Sequence, residues 1–192
     1  MTEASITEKK EQTKKLDTKT IAIIGVMTAV ICIMGPLSIT LPVSPVPISL
    51  GTLAIYFTPY VLGMKKGTIS CCVYLLIGLV GLPVFTGFSS GPAKLLGPTG
   101  GYLIGYIFMA LICGFVIDRT NKMPICFLGM VLATAVLYLF GTVWLAHQAG
   151  MTFPEALAAG VLPFILGDTA KMVIAMIAGP QIRKRLKRAG LV

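Results

Sequence analysis

Two charges three residues apart in "GDTAKMVIAMIAGP", residues 167–180, are the positions in this chain best suited to chemistry. Asp168 offers a carboxylate acceptor and Lys171 an ammonium donor, and at i, i+3 spacing both lie on one helix face. The stretch around them reads as a greasy helix, where each charge costs about 2.5–3.5 kcal/mol. Two compensations suffice: the charges neutralise each other and fix helix packing, or they face a cavity that admits a polar small molecule.

Catalytic signatures are missing. A single histidine, His147, rules out an H-E-x-x-H zinc site, and neither a G-x-S-x-G elbow nor a G-x-x-x-x-G-K-[ST] phosphate loop occurs. No catalytic residue, metal site or cofactor is therefore expected, and ATP-driven work would need a partner subunit. His147 beside Trp144 reads as an interfacial residue. Cys32, Cys71, Cys72, Cys113 and Cys126 are odd in number, lack C-x-x-C spacing and fall in or beside apolar runs, so they read as small buried hydrophobes.

The elements that must position the pair follow from composition. Of 192 residues, 56% are apolar and 12% charged, which places the chain among integral membrane proteins. The charges are segregated, with none between Lys19 and Lys65, between Lys66 and Lys94, from Leu95 to Ile117, or from Met123 to Pro154. A crossing takes about 20 apolar residues, so the 45 uncharged residues from Thr20 to Met64 hold two crossings and a turn at Gly35-Pro36 and the prolines at 42, 45 and 47. The pattern predicts an all-α integral membrane protein with six transmembrane helices, near 19–35, 48–64, 67–83, 99–117, 123–147 and 159–180. Residues 1–18 form a solvated tail, 19–182 the transmembrane domain and 183–192 a basic tail.

Orientation follows from Lys and Arg, because basic loops stay cytoplasmic. With both termini inside, 14 of the 16 basic residues are cytoplasmic, and Lys94 and Lys171 are the exceptions. The net charge of +9 then reports topology and contact with anionic membrane lipid, and no nucleic-acid footprint accompanies it.

The outward loops are unusual. "SITLPVSPVPISLGTLAIYF" is stiff, apolar and polar only through hydroxyls, suited to folding down over a cavity. "GLPVFTGFSSGPAKLLGPTGGYLIGY" is rich in glycine and carries Lys94, a cation able to meet an anionic ligand. Gly101-x-x-x-Gly105 and Gly25-x-x-x-Ala29 have the spacing of close helix packing.

"PVPISLGTLAIYF", "GLPVF", "GPTGGYLIGY" and "PFILGDTAKMVIA" occur in the order found in the BioY family, the biotin-binding S components of energy-coupling factor (ECF) transporters, which this chain resembles from the first helix to the last. The resemblance implies a six-helix S-component bundle in a prokaryotic plasma membrane. It also implies capture of biotin from outside and delivery inward with an ECF transmembrane coupling protein and two ABC-type ATPases. In family terms Asp168 and Lys171 match the D-x-x-K pair, Pro47, Ser49 and Thr52 the first-loop motif, Gly97 through Tyr102, including Gly101, the "GPTGGY" motif, and Gly25 and Ala29 the coupling surface on the first helix. Gly51 stands where glutamine is more usual, and Lys94 takes the place of an expected arginine. On this resemblance Asp168 accepts from the ureido N–H groups, Tyr74 and Phe85 pack the ring, and Lys94 or Lys171 pairs with the carboxylate. The alternative reading is a stand-alone proton-coupled carrier with Asp168 as proton site and Lys171 tuning it. Against it, no repeated half with paired broken helices is visible.

Overall fold

The computed structural model describes residues 18–40, 42, 44–120 and 122–191; of the expected tail over residues 1–18, residues 1–17 lie outside the described residues and Thr18 opens the first helix. Seven helices and one two-stranded ladder follow in order: α1 Thr18–Met34, β1 Ser38–Ile39, β2 Ile48–Ser49, α2 Gly51–Val80, α3 Pro92–Leu96, α4 Gly100–Arg119, α5 Met123–Ala149, α6 Phe153–Gly160 and α7 Ile165–Arg188. Helix α2 packs on α1, α4 and α7, and α4 also packs on α5. Helices α2, α4 and α5 are long and apolar enough to cross a membrane, and α6 with α7, bent by 51°, is a broken span by the same criteria.

Helix α2 is two limbs. Gly63 has φ 73° and ψ −176°, a backbone conformation that side-chain-bearing residues rarely adopt, and it interrupts the helix there. A Cβ on Gly67 would lie 3.2 Å from the Thr58 methyl carbon and 3.7 Å from its carbonyl oxygen, whereas nine residues of straight helix would separate them by about 13.5 Å. Residues 51–62 and 64–80 are therefore antiparallel, matching the two expected helices, with the reversal before Lys65-Lys66 rather than on them. Asp118 Oδ2 accepts from the Met64 amide at 2.7 Å, satisfying an amide that the reversal frees. Counting these limbs separately, α6 with α7 as one, and leaving aside the five-residue α3, gives six helical segments among the described residues, consistent with the six expected spans.

The last span differs from expectation in shape. Instead of running unbroken from 159, the chain ends α6 at Gly160 and restarts at Ile165. Pro163 disfavours helical backbone at Leu162, which breaks the apolar run here. Asp168 thus sits in the first turn of α7, where the helix dipole favours a negative charge. At its other end α7 continues through Pro180 to Arg188, so most of the basic segment is helical.

Lys19, Lys66 and Arg183 meet at one end of the bundle. Lys19 donates to the Gly190 carbonyl, Lys66 to Thr20, and Arg183 to both the Ile117 carbonyl and Asp118 Oδ1. The termini of α1 and α7, the reversal at Gly63 and the end of α4 therefore share that end. The polarity accords with a single basic face on the membrane.

Candidate ligand-binding site

At the opposite end the first loop folds inward. Ser38 pairs with Ser49 and Ile39 with Ile48 in an antiparallel ladder, and Ser44 Oγ donates to the Ala159 carbonyl at 2.7 Å. The loop tip is thereby tied to the end of α6, and Val46 is buried beneath it. This is the covering segment that the proline-rich sequence suggested. Val46 and Ser49 turn inward from it, while Ile39, Pro42 and Pro45 face out.

Beneath it lies a cavity of about 50 Å³. Val46, Pro47, Ser49 and Thr52 line it from the first loop and α2, and Thr86 and Thr99 from the segment leading into α4. Tyr102, Leu103 and Tyr106 of α4 meet Leu137 and Tyr138 of α5 across it, and Gly160, Phe164, Asp168 and Lys171 close the remaining wall.

The charge pair sits here, with Asp168 5% and Lys171 7% exposed. Lys171 Nζ donates to Asp168 Oδ1 at 2.8 Å, to Thr52 Oγ1 at 2.8 Å and to the Ser49 carbonyl at 2.7 Å, which uses all three of its N–H groups. Asp168 Oδ2 accepts from the Tyr138 hydroxyl at 2.7 Å. The Thr52 hydroxyl has two acceptors in reach, the Ser49 carbonyl at 3.2 Å and Asp168 Oδ1 at 3.4 Å. The ammonium is saturated, while the carboxylate keeps acceptor capacity on Oδ2, since each carboxylate oxygen accepts about two bonds.

The Ser49 side chain itself turns away. Its hydroxyl donates to the Gly35 carbonyl and accepts from the Gly51 amide, so Ser49 serves the pair through its carbonyl and holds the loop against the end of α1 through its Oγ. Tyr102 donates to the Gly160 carbonyl at 3.1 Å, which fixes its ring on the cavity wall.

Four of the residues that the sequence assigned to the ligand, Tyr74, Phe85, Gly101 and Lys94, lie away from the lining. The Tyr74 hydroxyl donates to the Val84 carbonyl, and its ring meets Phe85 edge-on at 5.6 Å between centroids. Both rings are fully buried and pack the segment after α2 onto its second limb. Gly101 abuts Trp144, where an added Cβ would fall 2.3 Å from the tryptophan Cβ, so it serves the α4–α5 contact. Lys94 is half-buried on α3, and partial desolvation lowers its pKa from the ordinary lysine value. Gly25 and Ala29 are exposed on α1, and a Cβ on Gly25 would touch nothing, so that small-residue face packs against no other part of the described chain.

Tyr138 and Tyr106 escaped the sequence reading. A tyrosine in the middle of the uncharged run 123–147, far from either interface, is a signal in itself, because a buried phenol needs a partner.

The cavity volume decides how a ligand enters. It holds one or two waters at about 30 Å³ each, whereas small-molecule sites run to about 300–1,000 Å³. A ligand of that size therefore requires the lining elements to part, and the first loop, tied to α6 by Ser44, is one of them. Ser44→Ala removes the tie at the loop tip, and one hydrogen bond contributes about 0.5–1.5 kcal/mol. Ligand dissociation is expected to quicken by roughly 2- to 10-fold in that variant, read by exchange of labelled ligand. An unchanged off-rate would mean that the loop tip does not govern release.

A buried acceptor–donor pair under a folded-in loop, inside an apolar helical bundle, defines a membrane-embedded subunit built to hold a small polar ligand. A model of the BioY family matches residues 8–188. The chain is 33% identical over 160 residues to the biotin transporter BioY of Thermotoga maritima, spanning 83% of this chain and 93% of the relative. It is 34% identical over 174 residues to a biotin transporter BioY of Lactococcus lactis, spanning 87% and 92%. A crystal structure of the S component for biotin from an ECF-type ABC transporter matches with a TM-score of 0.82 at 32% identity, covering 91% of this chain and 95% of that one. This chain belongs to the BioY family.

Proposed function

We propose that this protein is the biotin-binding S component of an ECF transporter, a transport subunit rather than an enzyme, resident in a prokaryotic plasma membrane. It takes biotin from outside and delivers it inward with a transmembrane coupling protein and two ABC-type ATPases. The observation that carries the reading is the Asp168–Lys171 pair, buried and 2.8 Å apart in the loop-covered cavity. The exposed small face at Gly25 and Ala29 supports α1 as the docking surface for the coupling protein, since close approach of helices uses small residues.

Biotin's ureido ring carries N–H donors beside a carbonyl acceptor. An adjacent carboxylate and ammonium complement those two groups together, Asp168 accepting from N–H through the spare capacity of Oδ2 and Lys171 turning one N–H from its present acceptors to the carbonyl. Tyr102, Tyr106 and Phe164 would then flank the ring system. With the pair engaged by the head group, the valerate carboxylate falls to Lys94 as the first loop and the segment carrying α3 adjust around the ligand.

Lys94→Ala is therefore expected to abolish the preference for biotin over biotin amide, whereas Lys171→Met weakens both alike. The opposite pattern, measured by competition with labelled biotin, would put the carboxylate on Lys171. The pKa of Lys94 is lowered, so raising the pH through it removes the positive charge and is expected to weaken biotin but not its amide.

Reconstitution tests the assembly. Biotin uptake into liposomes is expected only with the coupling protein and ATPases present and ATP supplied. Uptake by this chain alone, driven by a proton gradient, would favour the stand-alone carrier.

A further inference from the structure

A second cleft opens at the basic end of the bundle, about 480 Å³ in volume, and neither the biotin site nor the small-residue face of α1 uses it. Its lining is amphipathic. Tyr60, Met123 and Cys126 supply an apolar floor, and Arg183, Lys184, Lys187 and Arg188 supply the cations, with no carboxylate among the lining residues.

Two observations mark it as more than a solvated basic tail. The Tyr60 hydroxyl, in a residue 3% exposed, has the Cys126 thiol beside it and no well-formed hydrogen bond among the described residues. Sulfur is a weak acceptor, so the phenol is poorly satisfied, and its ring is wedged so that a Cβ on Gly179 would lie 2.3 Å from it. The cations, moreover, are not equivalent. Arg183 is held by Asp118 at 2.8 Å, while Lys184, Lys187 and Arg188 make no ion pair among the described residues. The C-terminal turns of α7 thus present three cations without ion-pair partners among the described residues beside an apolar floor, at the basic end of the bundle.

We infer that this cleft is a binding site for a phosphate ester, occupied in the membrane by the headgroup of an anionic phospholipid. The phosphodiester meets Lys184, Lys187 and Arg188, Tyr60 gains an acceptor for its hydroxyl, and the start of the acyl chains lies along Met123 and Cys126. Each juxtamembrane cation adds to such attraction, which salt screens. The site lies between the reversal of α2, the start of α5 and the end of α7, so an occupant would bridge three elements at that end.

Native mass spectrometry of the full chain, released from nanodiscs of mixed phosphatidylglycerol and phosphatidylcholine, reads the occupancy. The wild-type chain is expected to retain one phosphatidylglycerol in preference to phosphatidylcholine. Lys184→Gln/Lys187→Gln/Arg188→Gln should lower that retention at least about tenfold. Tyr60→Phe, which leaves all the charges in place, should lower it several-fold. Unaltered biotin affinity in each variant certifies the fold. A parallel arm adds inorganic phosphate: displacement of the lipid at low millimolar phosphate assigns the site to phosphate from solution, and persistence of the lipid assigns it to the bilayer. Equal phosphatidylglycerol retention by wild type, triple variant and Tyr60→Phe would overturn the site.

Discussion

Asp168→Asn is expected to weaken biotin binding by about 10- to 100-fold, because a hydrogen bond to a charged group contributes about 1.5–3 kcal/mol. The amide keeps nearly the shape of the carboxylate and can still accept from the Tyr138 hydroxyl, which lies 2.7 Å from Oδ2. It cannot neutralise Lys171, whose ammonium remains 7% exposed with its counter-charge gone. Breaking one half of a buried pair costs about 3–5 kcal/mol, so the single variant should also melt earlier than wild type. Stability and binding would then fall together, and the double variant separates them. Asp168→Asn/Lys171→Met removes both charges, a change that is often neutral or stabilising in a buried setting. Its melting temperature should return toward the wild-type value while its biotin affinity stays low. If the double variant regained affinity along with stability, the pair would be a packing device and the ligand would be read elsewhere.

Gly141→Ala is the second large effect, and it acts on Tyr102 through α5. A Cβ at 141 would stand 2.3 Å from Cδ1 of the Tyr102 ring, closer than any real contact. The ring is held at its tip, where its hydroxyl donates to the Gly160 carbonyl and lies 3.5 Å from Thr142 Oγ1, so it can yield only by straining those contacts or by moving into the cavity. Overpacking of this kind costs about 1–3 kcal/mol. The ring lines the cavity, so displacing it should both lower the melting temperature and weaken biotin by roughly 5- to 100-fold. Tyr102→Phe keeps the ring and loses the hydrogen bond to α6, and about 1 kcal/mol of stability with it. Wild-type affinity in Gly141→Ala, measured by titration in detergent, would show that the Tyr102 ring does not shape the bound state.

How much of this was legible depended on range. The Asp168–Lys171 pair needs only i, i+3 spacing, so its proximity was readable, as was the inward fold of a loop with three prolines and hydroxyl polarity. The reversal at Gly63 was misplaced by a few residues because one glycine in an apolar run looks like any other, whereas Lys65-Lys66 mark the basic face more visibly than the turn itself. The break before α7 did have a local signal in Pro163, but hydropathy runs smoothly across it. The bond from Tyr138 to Asp168 joins residues 30 apart on different helices, and no local pattern encodes it. Tyr74 and Phe85 looked like ring-packing residues because aromatic type is shared by ligand walls and cores, and only the tertiary fold distinguishes the two. Gly101 was ambiguous for the same reason until Trp144 was found against it.

The central claim is that a buried charge pair persists in this apolar bundle because a vitamin completes it. Calorimetric titration of the purified, detergent-solubilised chain with biotin, with no ATPase or coupling protein present, tests that claim most directly. The account predicts saturable binding of one biotin per chain with favourable enthalpy, lost in the charge-neutral double variant. A chain that stays folded and monodisperse yet takes up no biotin, or binds it equally well without the two charges, would contradict it.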